Sequence, residues 1–540
     1  MAGKLRVVSV LAVFGLMAGA MAVISASTPA FASSTTLYVS TTGSNTGNCQ
    51  NEASPCATIS YAVSQAASGD TIEVASGTYH DIVEVPAPLD ITIEGPSGGA
   101  TVDGESTTAQ VGSVFAIDGD ASVTLENLTI SDGEGTTFGS LTYGDGVFVS
   151  AGGSATLTND TLTNNTAFRG PSGDVGGGIY NSGTAVLNDD TVSDNNSSNG
   201  GGGIYTSADS STTVTDSTVS GNLGNGEGGG IFNAGLAFLR DDTVAGNTAE
   251  YSELAVDTGG GIYGDEGTLH LDADTIANNT APGPGDAVGT ASGTTTDLAG
   301  TIFGQPVLSD TLCDVVSGST WNDDGYNVSQ DTSCALSSAT SLSNTNADLG
   351  ALAANGGPTE TMLPATGSPA IDQIPNPTSA DGFSLCPGTD QRGVTRPQGP
   401  KCDIGSVEVQ ETTTGPTIKK VSFVGGTTKP TITITGRAFG TEPNGTSDNS
   451  NDCGSYTNNG EDYGPSNLWF EDVGNFYAGQ GTPPNAACVG LIVTKWTSTK
   501  VVMHFGNAYD TYDHWYITAG DKFVISLKGV EANGTIKFAK

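Results

Sequence analysis

Short runs in which apolar and polar residues alternate recur through the middle of the chain. Examples are Ser154–Thr158, Thr184–Asn188 and Thr268–Asp272, where small or β-branched side chains follow a period of two. This is the period of a β-strand with one buried face. Gly, Thr, Ser and Asn dominate between these runs, and residues 57–66 form the best helix candidate. The pattern predicts an all-β body made of very short strands.

Two motifs repeat together across these strands. The first is a Gly-rich turn followed by an aliphatic and an aromatic residue, and its aromatic positions are 32, 25, 27 and 31 residues apart. The second begins with Thr and an aliphatic residue and ends in Asn. Two motifs that share one drifting period are typical of stacked coils with loops of variable length. We therefore predict regular coils over about residues 120–285, whose strands pair in parallel ~4.8 Å apart.

The aromatic residue of the first motif is the candidate binding residue of each coil. Neighbouring residues of a strand point to opposite faces, so the aliphatic residue fills the core and the ring points outward. Such a row either stabilises the coil by self-stacking, which we favour, or forms a platform for a glycan or peptide. The rings are Phe148, Tyr180, Tyr205, Phe232 and Tyr263, and the last four are the candidate ligand-binding residues.

The Asn that ends the second motif is predicted to form a structural ladder along the coil. Asn tolerates the left-handed backbone of a tight corner, and its amide can hydrogen-bond to the same residue one coil away. The ladder consists of Asn165, Asn195, Asn222, Asn247 and Asn279. The prediction gives these residues a role in holding coils together rather than in binding a ligand.

Both ends of the coil carry segments that resemble known proteins. The predicted helix 57–66 and the strands that follow it are similar to the opening of secreted proteins with the pectin-lyase-like fold, a right-handed parallel β-helix. Residues 349–408, which contain Asn355–Thr359 and Asp390–Gly393, resemble the terminal segment called the choice-of-anchor Q domain, and we expect them at the far end of the coil. The resemblance covers about residues 36–408 and implies a secreted or surface β-helix without one particular activity.

The chain changes character near residue 412. Residues 412–540 contain alternating runs of the kind found in β-sandwiches, and Pro416–Gly440 resembles the start of an immunoglobulin-like TIG module. Aromatic residues in this module either stack on sugar rings or, as we favour, form its core. The run Asp448–Asp452 could ligate calcium through side-chain oxygens, although a solvated turn is the preferred interpretation. We predict no other cofactor.

Charge and cysteine content limit where the protein works and what it binds. Residues 1–32 are predicted to be a signal peptide, since an apolar run lies between Lys4 and the small-x-small site Ala30–Ala32. Residues 33–411, the predicted β-helix with its caps, lie in the region 33–415, which has five basic and 47 acidic residues. Nucleic acid and anionic membranes are therefore excluded as direct partners. No membrane span is expected after signal removal.

An exported chain with eight cysteines is expected to form disulfides between neighbours in sequence. The predicted pairs are Cys49 with Cys56, Cys313 with Cys334, Cys386 with Cys402, and Cys453 with Cys488. Together with the signal peptide, they place the protein outside the cell, in solution or at the cell surface.

Candidate catalytic residues are scarce. Acidic pairs such as Asp189/Asp190 and Asp241/Asp242 recur at one repeat position, which favours a corner or solubility role because a catalytic pair is needed only once. Arg169 and Arg240, the basic residues of the regular coils, lie in no recognisable motif. We therefore predict a non-catalytic protein that binds an extracellular glycan or a surface partner. The alternative is a polysaccharide lyase or glycoside hydrolase with an unrecognised site.

Overall fold

A computed structural model provides the structure of this protein. It describes residues 34–104, 112–138, 141–166, 175–250, 258–307, 311–380, 383–410, 416–440, 468–479, 489–506, 508–511 and 515–539. The predicted signal peptide, Arg169 and the run Asp448–Asp452 lie outside these residues. The chain divides into two compact units between Val409 and Gln410.

The first unit is a coil whose strands form three long parallel sheets, which we call sheets 1, 2 and 3. Sheet 1 has eleven strands: Thr36–Val39, Thr71–Val74, Asp90–Glu94, Ser122–Glu126, Ser154–Thr158, Thr184–Asn188, Ser211–Thr215, Leu236–Arg240, Thr268–Asp272, Thr295–Ala299 and Thr320–Gly325. Sheet 2 has nine: Val83–Val85, Phe115–Ile117, Val147–Val149, Ile179–Asn181, Ile204–Thr206, Ile231–Asn233, Ile262–Gly264, Val288–Thr290 and Cys313–Asp314.

Sheet 3 has ten strands: Thr78–His80, Ala100–Asp103, Leu128–Ser131, Thr161–Thr163, Thr191–Ser193, Thr218–Ser220, Thr243–Ala245, Thr275–Ala277, Ile302–Gly304 and Val328–Ser329. A small parallel sheet of Asn196–Ser197, Leu223–Gly224 and Thr248–Ala249 follows it in three coils. Each complete coil thus contributes one strand to sheet 2, then to sheet 1, then to sheet 3.

Residues at equal repeat positions are aligned between coils, which builds one continuous core. Ile179 pairs with Ile204, and Ile204 pairs with Ile231, all of them buried. Leu187 and Val192 fill the same core from sheets 1 and 3. The alternation seen in the sequence therefore becomes an inner face of aliphatic side chains and an outer face of polar ones. The predicted all-β parallel coil is confirmed.

One α-helix occurs in the described part of the chain, at Ile59–Gln65 near the start of the coil. Thr58 caps it by accepting a hydrogen bond from the Tyr61 backbone N–H at 3.2 Å. The helix buries Ile59, Ala62 and Val63 in the coil's core cluster. Its apolar face covers core residues that no preceding coil covers.

The segment after the last strand of sheet 3 returns along the coil instead of closing its end. Thr218 donates through Oγ1 to the Glu360 carbonyl at 2.6 Å, and the Ser406 N–H donates to Thr275 Oγ1 at 3.1 Å. The expectation that residues 349–408 lie at the far end of the coil is therefore wrong. The outward residues Ala245 and Ala277 of sheet 3 are buried beneath this returning segment, which supplies the cover that such an apolar outer face requires.

Gln391 fixes the returning segment to two neighbouring coils. Its Nε2 donates to the Ser217 carbonyl and to Thr218 Oγ1, both at 2.9 Å, and its Oε1 accepts from Thr243 Oγ1 at 2.6 Å. Arg396 is also buried here and pairs with Asp241 at 2.9 Å. Ser379–Ala380 and Phe383–Ser384 form a short antiparallel pair within the segment.

The second unit contains two sheets. One consists of Leu491–Thr497, Lys500–Phe505, Thr431–Arg437, Thr417–Val424 and Phe538–Ala539. The other consists of Phe476–Ala478, Leu468–Asp472, Lys522–Leu527 and Val530–Thr535. Side chains from both sheets form one apolar cluster, in which Phe423 contacts Phe470 and Phe523 edge to face. Much of the aromatic content of this unit thus serves its core.

Three of the four predicted disulfides are confirmed: Cys49–Cys56, Cys313–Cys334 and Cys386–Cys402. The first closes the loop before the helix, and the third lies within the returning segment. The fourth predicted disulfide, between Cys453 and Cys488, is not tested, because both cysteines lie outside the described residues. That pairing therefore stays a prediction.

The sequence predicts no membrane span in the chain after signal removal. Among the described residues, no helix has the length and apolar character needed to cross a bilayer.

Candidate functional site

The aromatic residues of the Gly-rich motif form one row along the outer face of sheet 2. This aromatic row consists of Phe148, Tyr180, Tyr205, Phe232 and Tyr263, which are aligned partners on adjacent strands. Successive ring centroids are 5.6, 5.4, 4.6 and 5.5 Å apart. The preceding aliphatic residues point into the core, as the period of two requires.

Stacking uses most of the ring faces in the row. The first three contacts are stacked, with interplanar angles of 9°, 14° and 2°, so Tyr180 and Tyr205 have a neighbour on each face. Both tyrosines are half-buried, and Phe148 and Phe232 are buried. Burial raises the pKa of Tyr205 and of Tyr263 to about 12. The interior of the row therefore offers ring edges rather than ring faces.

The N-terminal end of the row borders a shallow depression of about 230 Å³. It is lined by Tyr143, Phe148, Ser150, Ala151, Tyr180 and Ser182. Tyr143 belongs to the second strand of the hairpin Thr136–Phe138 and Leu141–Tyr143, and its ring meets Tyr180 edge-on at 4.7 Å. The repeat pattern did not mark Tyr143, because the hairpin lies outside the repeat. Aromatic rings and serine hydroxyls thus meet in one place.

The five asparagines of the predicted ladder are buried and connected. Asn195 Nδ2 donates to Asn222 Oδ1 at 3.0 Å, and Asn222 Nδ2 donates to Asn247 Oδ1 at 2.9 Å. The same oxygens also accept backbone N–H groups of the preceding coil, as Asn222 does from Asn195. Asn165 and Asn279 extend the chain of bonds in both directions.

The left-handed backbone of this corner does not belong to the ladder asparagines. It belongs to the residue before each one: Asn164, Asp194, Gly221, Gly246 and Asn278, with φ between 55° and 69°. Our expectation that one Asn both turns the chain and forms the ladder is therefore wrong. The two tasks are separated because a residue that turns the corner points its side chain out of the coil, as the exposed Asn164 and Asp194 do, and not into the buried position of the ladder.

A second buried ladder, which the repeat pattern did not predict, lies at the corner between sheets 1 and 3. Asp190 Oδ1 accepts the Asp160 N–H at 2.6 Å, Ser217 Oγ accepts the Asp190 N–H at 3.0 Å, and Asp242 Oδ1 accepts the Ser217 N–H at 2.7 Å. Asp274 accepts from Asp242 in the same way. The recurring acidic pairs therefore serve a corner: the first member has positive φ at Asp189 and Asp241, and the second forms the ladder.

Burial dominates the electrostatics of the aspartate ladder. It raises the pKa of Asp160 to about 7, and it raises the pKa values of Asp190, Asp242 and Asp274 well above their usual range. Backbone N–H groups that donate to these carboxylates oppose this shift. Because these groups are buried in the corner and held there by hydrogen bonds, we assign them a structural rather than a catalytic role.

The outer face of sheet 1 changes chemistry halfway along the coil. Its middle position is Thr in most early coils, for example Thr124 and Thr156, but the last four coils have Phe238, His270, Asp297 and Asn322. Phe238 stacks on His270 at 4.5 Å and meets Phe383 of the returning segment edge-on at 6.4 Å.

The Arg240 guanidinium lies over the same Phe383 ring, 3.9 Å from its centroid. Phe383 thus contacts two outward residues of one strand of sheet 1, Phe238 and Arg240. The phenylalanine that replaces threonine at position 238 is explained by this contact with the returning segment, and Arg240 has a structural role here.

A cleft of about 580 Å³ lies near the first coils. Tyr38, Glu73 and Glu94 occupy aligned positions on three adjacent strands of sheet 1 and line it together with Pro55 and Pro96. Nothing in the repeat marked these glutamates, since they precede the regular coils. Across the described residues, no group of three or more His, Cys, Asp or Glu side chains is arranged to hold a metal ion.

Comparison with known proteins identifies the architecture of the first unit. Residues 91–295 match the family model of the right handed beta helix region. The coil is a right-handed parallel β-helix. The predicted fold class is thereby confirmed. No curated protein matches this sequence.

Solved structures with similarity to this β-helix protein have low sequence identity. The crystal structure of pectate lyase Pel9A is 14% identical, with a TM-score of 0.38 over 70% of this chain and 97% of that one. The lacto-N-biosidase of family GH136 from Eubacterium ramulus is 15% identical, with a TM-score of 0.36 over 55% and 60%. The complex of XylC with xylose is 11% identical, with a TM-score of 0.34 over 69% and 98%.

Proposed function

We propose that this β-helix protein is secreted or held at the cell surface, and that it binds an extracellular glycan without cleaving it. The observation that carries the proposal is the depression at the N-terminal end of the aromatic row, where Tyr143, Phe148 and Tyr180 lie beside Ser150 and Ser182. Sugar rings present an apolar face and hydroxyl edges, so aromatic rings with adjacent hydroxyls suit them.

The proposal divides the aromatic row into two parts with different roles. Tyr205 has ring neighbours at 5.4 and 4.6 Å on its two sides and serves stability. Tyr143 stands outside the stacked series, on a hairpin, and contributes to the depression. Of the four candidate binding residues, Tyr180 lines the depression, whereas Tyr205, Phe232 and Tyr263 are assigned to the stack.

Export and attachment remain part of the same proposal. The apolar N-terminal run supports a signal peptide at 1–32, and the disulfides are consistent with an oxidising compartment. We further propose that residues 349–408 are a choice-of-anchor Q type segment and that residues 412–540 are an immunoglobulin-like TIG module. N-terminal sequencing of the mature protein, after expression in a bacterial host that exports it, tests the signal peptide directly.

A pair of substitutions tests the binding role. Tyr143→Ala removes a ring from the depression but none from the stack, so we expect a loss of glycan binding of about tenfold with little change in melting temperature. Tyr205→Ala interrupts the stack, so we expect a lower melting temperature with binding retained. The measurement is a panel of neutral and acidic polysaccharides, assayed for retention and for cleavage.

The two variants control each other. Equal loss of stability in both, with no polysaccharide bound by the unmodified protein, would make the whole aromatic row structural and contradict the proposal. Release of reducing ends or of unsaturated products from any polysaccharide would show that the protein is an enzyme.

The N-terminal cleft supports the alternative function, a polysaccharide-active enzyme. Glu73 and Glu94 lie on neighbouring strands at a backbone spacing of ~4.8 Å, and retaining glycosidases hold their two carboxyl groups ~5–5.5 Å apart. Tyr38 adds a ring beside them. If this function is correct, Glu73→Gln and Glu94→Gln each abolish cleavage in the panel, whereas Glu126→Gln, one coil further along, leaves it unchanged.

A further inference from the structure

The second unit contains a pocket whose charge differs from that of the rest of the protein. The chain has 58 acidic and 17 basic residues, yet the pocket of about 580 Å³ is lined by Lys429, His504 and uncharged residues, with no carboxylate among its described lining residues. Its volume lies within the range of small-molecule sites.

A row of three aligned residues forms one wall of this pocket. Thr431, His504 and Ile492 are partners on three adjacent strands of the five-stranded sheet. The His504 Nδ1 lies 3.5 Å from Thr431 Oγ1. Within the described part of the chain, the Nε2 of the same ring has no hydrogen-bond partner. The wall therefore offers a hydroxyl, an imidazole nitrogen and an apolar side chain side by side.

The turn that carries Lys429 is fixed in place. Gly425 and Gly426 have φ values of 102° and 74°, so the chain turns sharply there with residues that accept this backbone. The Tyr509 hydroxyl donates to the Thr427 carbonyl at 2.7 Å and accepts the Ile517 N–H at 2.9 Å. Tyr509 also stacks on Phe505 at 4.6 Å, and both rings line the pocket.

Lys429 is exposed and forms no ion pair with any carboxylate that the structure describes. An exposed lysine is well solvated without a partner, so the pocket suits an anion because its described lining contains Lys429 and no carboxylate. Lys429 thus gives the pocket a local positive charge.

We propose that this pocket binds a hydroxylated organic anion of the uronic acid class. Lys429 would pair with the carboxylate, and Thr431 and His504 would hydrogen-bond to hydroxyl groups. Phe505 and Tyr509, which stack on each other, would present their ring edges to the apolar face of the sugar. A small inorganic anion would make no favourable contact with the rings of Phe505 and Tyr509. A neutral sugar would leave the ammonium group unpaired.

The test uses the mature full chain and saturation-transfer difference NMR titrations with D-galacturonate, D-galactose and acetate. We expect galacturonate to bind at least about tenfold more tightly than either of the other two, because only it carries both the charge and the ring. Equal affinity for galactose would overturn the charge assignment, and equal affinity for acetate would overturn the sugar assignment. No detectable binding of galacturonate would overturn the site as a whole.

Substitutions assign the binding to this pocket. Lys429→Gln is expected to weaken galacturonate binding about tenfold. Lys420→Gln, an exposed lysine on the strand Thr417–Val424 outside the pocket, is expected to leave it unchanged. Tyr143→Ala, in the depression of the first unit, should also leave it unchanged, so the two sites succeed or fail separately. Binding unaffected by Lys429→Gln would contradict the proposal.

Discussion

The two corners of the coil that carry the ladders divide two tasks between two adjacent residues. The first residue adopts positive φ, as Asp194 and Asp241 do, and its side chain faces outward. The second residue, such as Asn195 or Asp242, points inward and bonds to the coils on either side. Residues tolerant of the left-handed region are short and polar or glycine, which explains why Asn, Asp and Gly predominate at the first position; Ala273, before Asp274, is an exception.

Removal of one ladder asparagine should expose the cost of an unpaired polar group. Asn222→Ala leaves the Val192 carbonyl and the Asn195 N–H without their partner in a buried site. Each unsatisfied group costs about 1–3 kcal/mol, so we expect a loss of at least about 2 kcal/mol in the free energy of unfolding. Urea denaturation measures it. Asn188→Ala, on the outer face of sheet 1, is the control and should cost less than about 0.5 kcal/mol.

Stacking of equal corners turns the aspartates into a ladder that responds to pH as one element. The folded-state pKa of Asp160 is about 7, above its usual value of 3.8, and burial raises the pKa values of its ladder neighbours as well. The folded coil therefore binds protons that the unfolded chain releases. The stability that these protonated aspartates contribute is fully present below about pH 4 and is lost as the pH rises through about 7.

We accordingly expect the coil to melt at a higher temperature at pH 5 than at pH 7.5, by an amount that persists in about 0.5 M salt. Salt separates this effect from surface repulsion, because buried groups are screened much less. Asp190→Asn should flatten the profile, since the amide does not titrate. A melting temperature that rises from pH 5 to pH 7.5 in the unmodified protein would contradict this account.

The returning segment depends on a buried ion pair with the coil. Arg396 donates to Asp241 at 2.9 Å and to the Gly405 carbonyl at 2.7 Å. Burial raises the pKa of Asp241 to about 7 even though Arg396 lowers it, so the pair is fully formed only above neutral pH. Breaking such a pair by removing one partner typically costs about 3–5 kcal/mol, because a buried charge is left uncompensated.

Arg396→Ala should therefore destabilise the coil by about 3 kcal/mol at pH 8, and it should make residues 349–408 susceptible to limited proteolysis first. Thermal unfolding and mass spectrometry of the fragments measure the two effects. The double variant Arg396→Ala/Asp241→Ala should recover part of the loss, because it removes the Asp241 carboxylate; the loss that remains belongs to Glu408, whose carboxylate lies 3.6 Å from Arg396. A double variant that is less stable than the single one would show that the charge is not the cause.

Features that repeat, or that a local pattern marks, such as the helix and three disulfides, could be predicted from the sequence, whereas features that depend on distant contacts could not. The inward Ile204 and the outward Tyr205 follow from a period of two applied to a recurring motif. Tyr143 and Lys429 occur once, in a hairpin and a turn whose positions depend on tertiary contacts. The returning segment was misplaced for the same reason: its local pattern does not state which outer face it covers, although the apolar Ala245 and Ala277 gave a hint.

The division of charge and of core residues predicts that the mature chain unfolds in two steps. Each described apolar cluster takes all its residues from one side of the boundary between Val409 and Gln410. The net charge is −42 for residues 33–415 and −1 for residues 416–540. Raising salt from about 0.02 M to about 0.5 M should therefore stabilise the first unit more than the second, because only the first has strong self-repulsion to screen.

Three of the four tryptophans, Trp469, Trp496 and Trp515, lie in the second unit, so fluorescence should follow its transition while circular dichroism is dominated by the coil. Coincident transitions by both probes at every salt concentration would mean that the two units unfold as one.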